Sequence, residues 1–180
     1  NTEKIKYFKN IEKILSEGET KIKIEDKYLI DSKNIVYLRK NKEIQSDYKT
    51  IVTDKYGNDF SSEKFLFLIN NEILKGKNVI VKDIEGNKSY FESFFGYLGQ
   101  KEFYGKDIKV IFNNEAFGNK ENEPRLYGNT LKTNKKETII TKGIFTTCKK
   151  RKKCPPWTIK AKEVIHDKEK KVINYRDAWL

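Results

Sequence analysis

The pair Ile5-x-Tyr7 returns as Ile35-x-Tyr37, Phe65-x-Phe67 and Phe95-x-Tyr97, 30 residues apart each time. A fixed period in the range of roughly 20–50 residues marks one structural unit stacked on itself, so this recurrence limits the fold more than any other feature. A second element follows each pair, beginning at Ile14, Glu43-Ile44, Glu72-Ile73 and Glu102-Phe103. A third is apolar alternation: Ile22 and Ile24, then Thr50 and Val52, then Val79 and Val81, then Ile108, Val110 and Phe112. Two turns, Asp54 to Asn58 and Asp83 to Asn87, match at a spacing of 29. One-residue gaps of this kind are expected where strands carry bulges.

Alternation of period two, β-branched and aromatic residues and Gly-Asn turns specify antiparallel β-structure. Each repeat supplies about two strands, and no helix longer than about three turns is expected. Read alone, Asn1 to Leu15 has the spacing of an amphipathic helix through Ile5, Phe8, Ile11 and Leu15. The repeat overrides that reading, because Ile5 and Tyr7 fall in register with the later strands. The recurrence runs to about residue 112. Beyond it Asn113 to Glu123 reads as a loop, Thr138 to Thr147 as a strand, and Trp157 to His166 and Val172 to Trp179 as two strands joined by a turn. With no linker or low-complexity block, residues 1–180 read as a single domain.

Stacked strands line up their apolar residues. The expected rows are Ile5/Ile35/Phe65/Phe95, Tyr7/Tyr37/Phe67/Tyr97 and Ile24/Val52/Val81/Val110, with Lys82 and Lys109 facing outward. Such rows either fill a sealed sandwich or line an open roll whose groove holds acyl chains, worth about 0.8 kcal/mol per buried CH₂. The groove candidates are Ile24, Ile35, Tyr37, Val52, Phe65, Phe67, Val79, Val81, Phe95, Tyr97, Ile108, Val110 and Phe112.

The net charge of +12 comes from 38 basic and 26 acidic residues, and only four of the basic residues are arginine. This charge suits an anionic partner, whether nucleic acid, phosphate-bearing lipid or a membrane surface, or else a solvated lysine-rich face. Nucleic-acid readers favour arginine for bidentate contacts, and four scattered arginines do not fit that use. No apolar run approaches the roughly 20 residues of a spanning helix. With no initiator Met and no signal pattern, the chain reads as a mature or excised piece of a larger product.

Chemistry is sparse. Cys148, Cys154 and His166 make at most three soft ligands where structural zinc takes four, so no metal is expected. His166 stands beside Asp167 without a nucleophile motif, no glycine-rich phosphate loop is present, and Gly57, Gly86, Gly96 and Gly99 read as turn glycines. The expectation is a non-enzyme without cofactor. Cys148 and Cys154 flank Lys149 to Lys153, which favours disulfide exchange in an oxidising compartment, or two reduced thiols in a loop.

The repeat pattern resembles the OstA-like periplasmic domains of the lipopolysaccharide transport system. The C-terminal third, through Glu123-Pro124-Arg125-Leu126, Lys142-Gly143-Ile144-Phe145-Thr146-Thr147-Cys148, Cys154-Pro155-Pro156-Trp157 and Glu163-Val164-Ile165-His166-Asp167, is similar to the stretch of the LptD family of LPS-assembly proteins that leads into its barrel. The resemblance implies an all-β, antiparallel open β-jellyroll, with repeats over about 1–112 and the strands leading to the barrel over 124–180. It also implies a non-catalytic conduit that carries lipopolysaccharide across the periplasm to the outer membrane. The implied partners are lipid A acyl chains, an OstA-like bridge protein paired at the first strand's edge, and the outer-membrane barrel with its plug lipoprotein. No barrel strands follow in this chain. Cys148 matches the family's disulfide position, and Cys154 is implied to pair with it or with a barrel cysteine. The alternative is a basic β-repeat module that binds nucleic acid or an anionic surface.

Overall fold

The computed structural model describes residues 2–117, 121–149 and 156–180. The strands are β1 Thr2–Phe8, β2 Lys13–Ile24, β3 Tyr28–Lys33, β4 Val36–Leu38, β5 Glu43–Ser46, β6 Thr50–Asp54, β7 Asp59–Ser62 and β8 Lys64–Leu68. They continue as β9 Ile73–Lys82, β10 Lys88–Tyr97, β11 Glu102–Ile111, β12 Arg125–Thr133, β13 Glu137–Thr146, β14 Ile159–Asp167 and β15 Val172–Trp179. Helix among the described residues amounts to two 3₁₀ turns, Lys9–Ile11 and Asn114–Phe117. The protein is all-β, as the alternation predicts, and jellyroll-like.

The connectivity is a meander. β3 runs on into β4, β5 into β6 and β7 into β8, each interrupted at one point. β3 pairs with β6 and β4 with β5, while β6 pairs with β7 and β5 with β8. Because β2 pairs with both β3 and β4, and β9 with both β7 and β8, the pairings close a ring of eight strands. From β9 to β15 each strand pairs with the next.

The interruptions lie along one line across the sheet. On that line β2 carries Gly18 (φ 83°), the β3–β4 junction Asn34 (φ 49°), β9 Asn78 (φ 49°), β11 Asp107 (φ 50°), β13 Lys142 (φ 50°) and β15 Asp177 (φ 48°). In β9 the chain turns at Asn78 and the side chains that face inward switch parity, whereas β2 turns at Gly18 without a switch, Ser16 and Thr20 both being buried. In β9, Leu74 is buried before Asn78 and Val79 is buried after it. In β10, Phe91 is buried on one side of the line and Phe94 on the other.

The line is a corner, and the sheet folds over along it into two limbs. Phe60 of β7 and Phe94 of β10 lie on opposite limbs, yet their ring centroids are 5.2 Å apart. A flat sheet at about 3.3 Å per residue would hold them well apart. The limb tips also meet: Tyr28 packs edge-on against Phe67 at 5.7 Å, and Lys27 Nζ pairs with Glu72 at 2.9 Å.

The tips record the repeat. Glu12, Lys42, Glu72 and Lys101 each end a turn in the left-handed region, at φ 48–57°, and each donates its N–H to the carbonyl three residues back. Successive turns are tied together, Arg39 N–H to Glu12 O, Ile69 N–H to Lys42 O and Leu98 N–H to Glu72 O, at 2.9–3.0 Å. At the opposite tips the two matching Asp-to-Asn turns form an asparagine ladder. Asn58 Oδ1 accepts from Ile84 N–H at 3.2 Å, and Asn87 Oδ1 accepts from Asn113 N–H at 2.8 Å.

Candidate functional site

The candidate site is the interior between the limbs. On the limb nearest the Glu12-type turns, the register gives one inner row as Ile5, Ser16, Ile35, Ser46, Phe65, Gly76, Phe94, Gly105, Leu131, Ile140, Val164 and Tyr175. On the other limb an inner row contains Ile22, Ile30, Val52, Phe60, Val81, Val110 and Leu126. Ile30, Ile35, Val52, Phe60, Phe65, Phe67, Val79, Phe91, Phe94, Ile108, Val110 and Leu126 belong to one continuous buried cluster, with Ile24, Tyr37, Val81 and Phe112 packed against it. Eleven of the thirteen groove candidates therefore line the interior.

Phe95 and Tyr97 do not. They sit on the outer wall, where Phe95 packs against Tyr97 at 4.9 Å and lies beneath Lys75 Nζ at 5.4 Å. The inward residues are their neighbours, Phe94 and Gly96. The cause is at the corner. Between Ser46 and Asp54 the chain turns it through the exposed segment Asp47-Tyr48-Lys49, whereas β9 turns it at Asn78 alone and uses one residue fewer. The fourth repeat therefore arrives at a spacing of 29, and counting 30 lands on the wrong face. Ile24 sits one step nearer the tip than expected, with Ile22 in the Val52 row. Gly96 is a buried strand residue, not a turn glycine, and a Cβ there would meet Phe103 Cδ1 at 2.7 Å.

The middle of the interior is filled. Phe94 touches Phe60, Phe91 and Phe103, with centroids 5.2–5.8 Å apart. The end at β1 and β2 is open. A cleft of about 520 Å³ runs between the limbs there, walled by Ile14, Ile22, Ile24, Ile35, Tyr37 and Ile44. Ile5 stands at its edge at 62% exposure, and Tyr7 of β1 and Ile11 just after it are 51 and 63% exposed. At the far end β15 leaves Ile173 and Tyr175 uncovered.

The sequence reading missed what lines the inside of the corner. In the early strands it is a chain of buried hydroxyls. Thr20 Oγ1 donates to Ser16 Oγ at 2.8 Å, Ser16 Oγ accepts from Ile35 N–H at 2.8 Å, and Ser32 Oγ lies 3.1 Å from Ser46 Oγ and 2.7 Å from Thr50 Oγ1. In the later strands glycines take over. Gly76, Gly105, Gly128 and Gly143 leave room for Val79, Phe91, Ile140 and Val164 from across the corner. The signal was in the sequence: small residues recurring one step from the apolar pairs.

Cys148 is a half-buried free thiol, its Sγ 3.9 Å from the carbonyl of Trp157. Cys154, and with it the pairing of the two cysteines, lies outside the described residues. The buried Arg125 donates through Nη1 to the carbonyls of Glu123 and Cys148, tying the start of β12 to the end of β13. His166 is exposed near the end of β14. No family model matches the chain, and a search of curated proteins finds no match.

Proposed function

We propose that this protein is a non-catalytic acyl-chain conduit that takes lipid between the limbs of its roll, as the OstA-like and LptD resemblance implies for lipopolysaccharide in the periplasm. The supporting observation is the open cleft at the β1–β2 end, continuous with the apolar interior. Burial of methylene groups against those isoleucines supplies the driving force, about 0.8 kcal/mol per CH₂. The filled middle means that chains enter at the mouth and advance only as the limbs part. The lysine-rich exterior keeps phosphates and sugars in solvent near cations. On this reading β1 is the edge offered to a bridge protein's strand, and the far end faces the barrel.

A photo-crosslinker at Tyr37 should capture lipid A, and one at Phe95, on the outer wall, should not. Capture at Phe95 with none at Tyr37 rejects the interior route. Salt-sensitive binding to DNA in place of lipid capture would favour the basic interaction module.

A further inference from the structure

On the outer wall, the segment Asp47-Tyr48-Lys49 swings out of the sheet at the corner and leaves a groove of about 430 Å³ beside it. Lys64, Lys75 and Lys77 line this groove. Lys64 and Lys77 stand directly opposite each other on β8 and β9, a like-charge pairing that destabilises a sheet unless an anion lies between the two. Among the described residues none of the three lysines has a carboxylate within ion-pair distance. Among the described residues Asp47 is the only carboxylate in the lining. Val36 and Leu66 give an apolar floor, while Gln45 and Ser93 add neutral polar groups.

One wall is pinned in place. Tyr48 N–H donates to Ser46 Oγ at 3.1 Å, and its carbonyl accepts from Thr50 Oγ1 at 3.0 Å. Both hydroxyl partners are buried, so the backbone that carries the half-exposed ring is fixed beside the groove before any ligand arrives. An aromatic wall, an apolar floor, amide and hydroxyl groups and convergent cations together suit a ring that is apolar on its faces, polar on its edge and anionic at one substituent.

We propose that this groove binds a phosphorylated saccharide, with the phosphate between Lys64 and Lys77 and a sugar face against Tyr48. The proposal does not depend on lipid entering the interior. The saccharide is either a glycolipid head group or a free sugar phosphate.

The test is an amide NMR titration of the ¹⁵N-labelled chain with a diphosphorylated glucosamine disaccharide, with and without its acyl chains. The neutral disaccharide and inorganic phosphate serve as comparisons. Saturable shifts at Gln45, Tyr48, Gly76 and Ser93 are expected from both phosphorylated forms. The double variant Lys64→Ala/Lys77→Ala should weaken binding about tenfold or more, and Lys64→Arg/Lys77→Arg should retain it. Lys82 and Lys88 are also directly opposite each other but are absent from the groove lining, so their alanine variants should leave binding unchanged. Tighter binding of the acylated form identifies a glycolipid head group, and equal binding a free sugar phosphate. The proposal is overturned if the neutral disaccharide or inorganic phosphate binds as tightly, if the groove amides do not shift, or if Lys64→Ala/Lys77→Ala binds like the parent.

Discussion

Small residues at the corner decide how closely the two limbs approach. Gly105 lies beside the ring of Phe91, and a Cβ built there collides with that ring. Its backbone is in an ordinary conformation, so the cost of substitution is steric alone. Gly105→Ala should destabilise the fold by about 1–3 kcal/mol in chemical denaturation. An unchanged midpoint would mean that the corner has slack. Thr50 is fully buried and bonded to Ser32 and to the carbonyl of Tyr48. Thr50→Val keeps the shape but takes the hydroxyl donor from the Tyr48 carbonyl and leaves Ser32 with Ser46 alone in the buried chain, which should cost about 1–3 kcal/mol, while Thr50→Ser should recover most of that loss. If the valine and serine variants denature alike, the hydroxyl chain contributes no stability.

Strand pairs and turns show how far the sequence could be read. The alternation from Ile22 to Phe112 specified antiparallel strands, and the apolar pairs at Ile35 and Phe65 face inward as their spacing implied. Phe95 and Tyr97 were misplaced because side-chain direction has a period of two. A single residue fewer at the β9 corner reverses a whole strand segment, and Asn78 carries no local mark that tells a corner from a turn. The 29-residue spacing between the Asp54 and Asp83 turns held that information. The cleft was not legible, since it depends on the limb tips meeting, and that contact joins Lys27 to Glu72 across 45 positions. The clamp has a pH signature. The Lys27 pKa lies above its ordinary value, chiefly through its hydrogen bond to Glu72 and then through Glu25. Its contribution is therefore complete below the ordinary lysine pKa and is lost as pH rises through the raised one. The proton–proton contact between the Tyr28 and Phe67 rings should persist from neutral pH into the lysine range and weaken above it, and Glu72→Gln should weaken it already at neutral pH. A contact indifferent to both would show that ring packing alone closes the tips.

For the molecule as a whole, the meander ends in uncovered edges and a cleft, with a core between them that is already packed. Ile5 stays largely in solvent at the edge of an apolar opening, which is the arrangement expected where an apolar ligand enters. Both walls carry isoleucine, so one labelling scheme reports on the inside and the outside together. Ile22, Ile24 and Ile44 line the cleft, whereas Ile51, Ile80 and Ile144 lie on the outer wall at 37–39% exposure. The most direct measurement is the set of intermolecular NOEs between the acyl methylenes of lipid A and these isoleucine methyls. The conduit account predicts NOEs to Ile22, Ile24 and Ile44 and none to Ile51, Ile80 or Ile144. NOEs confined to the outer-wall isoleucines, or none with lipid bound, would contradict it.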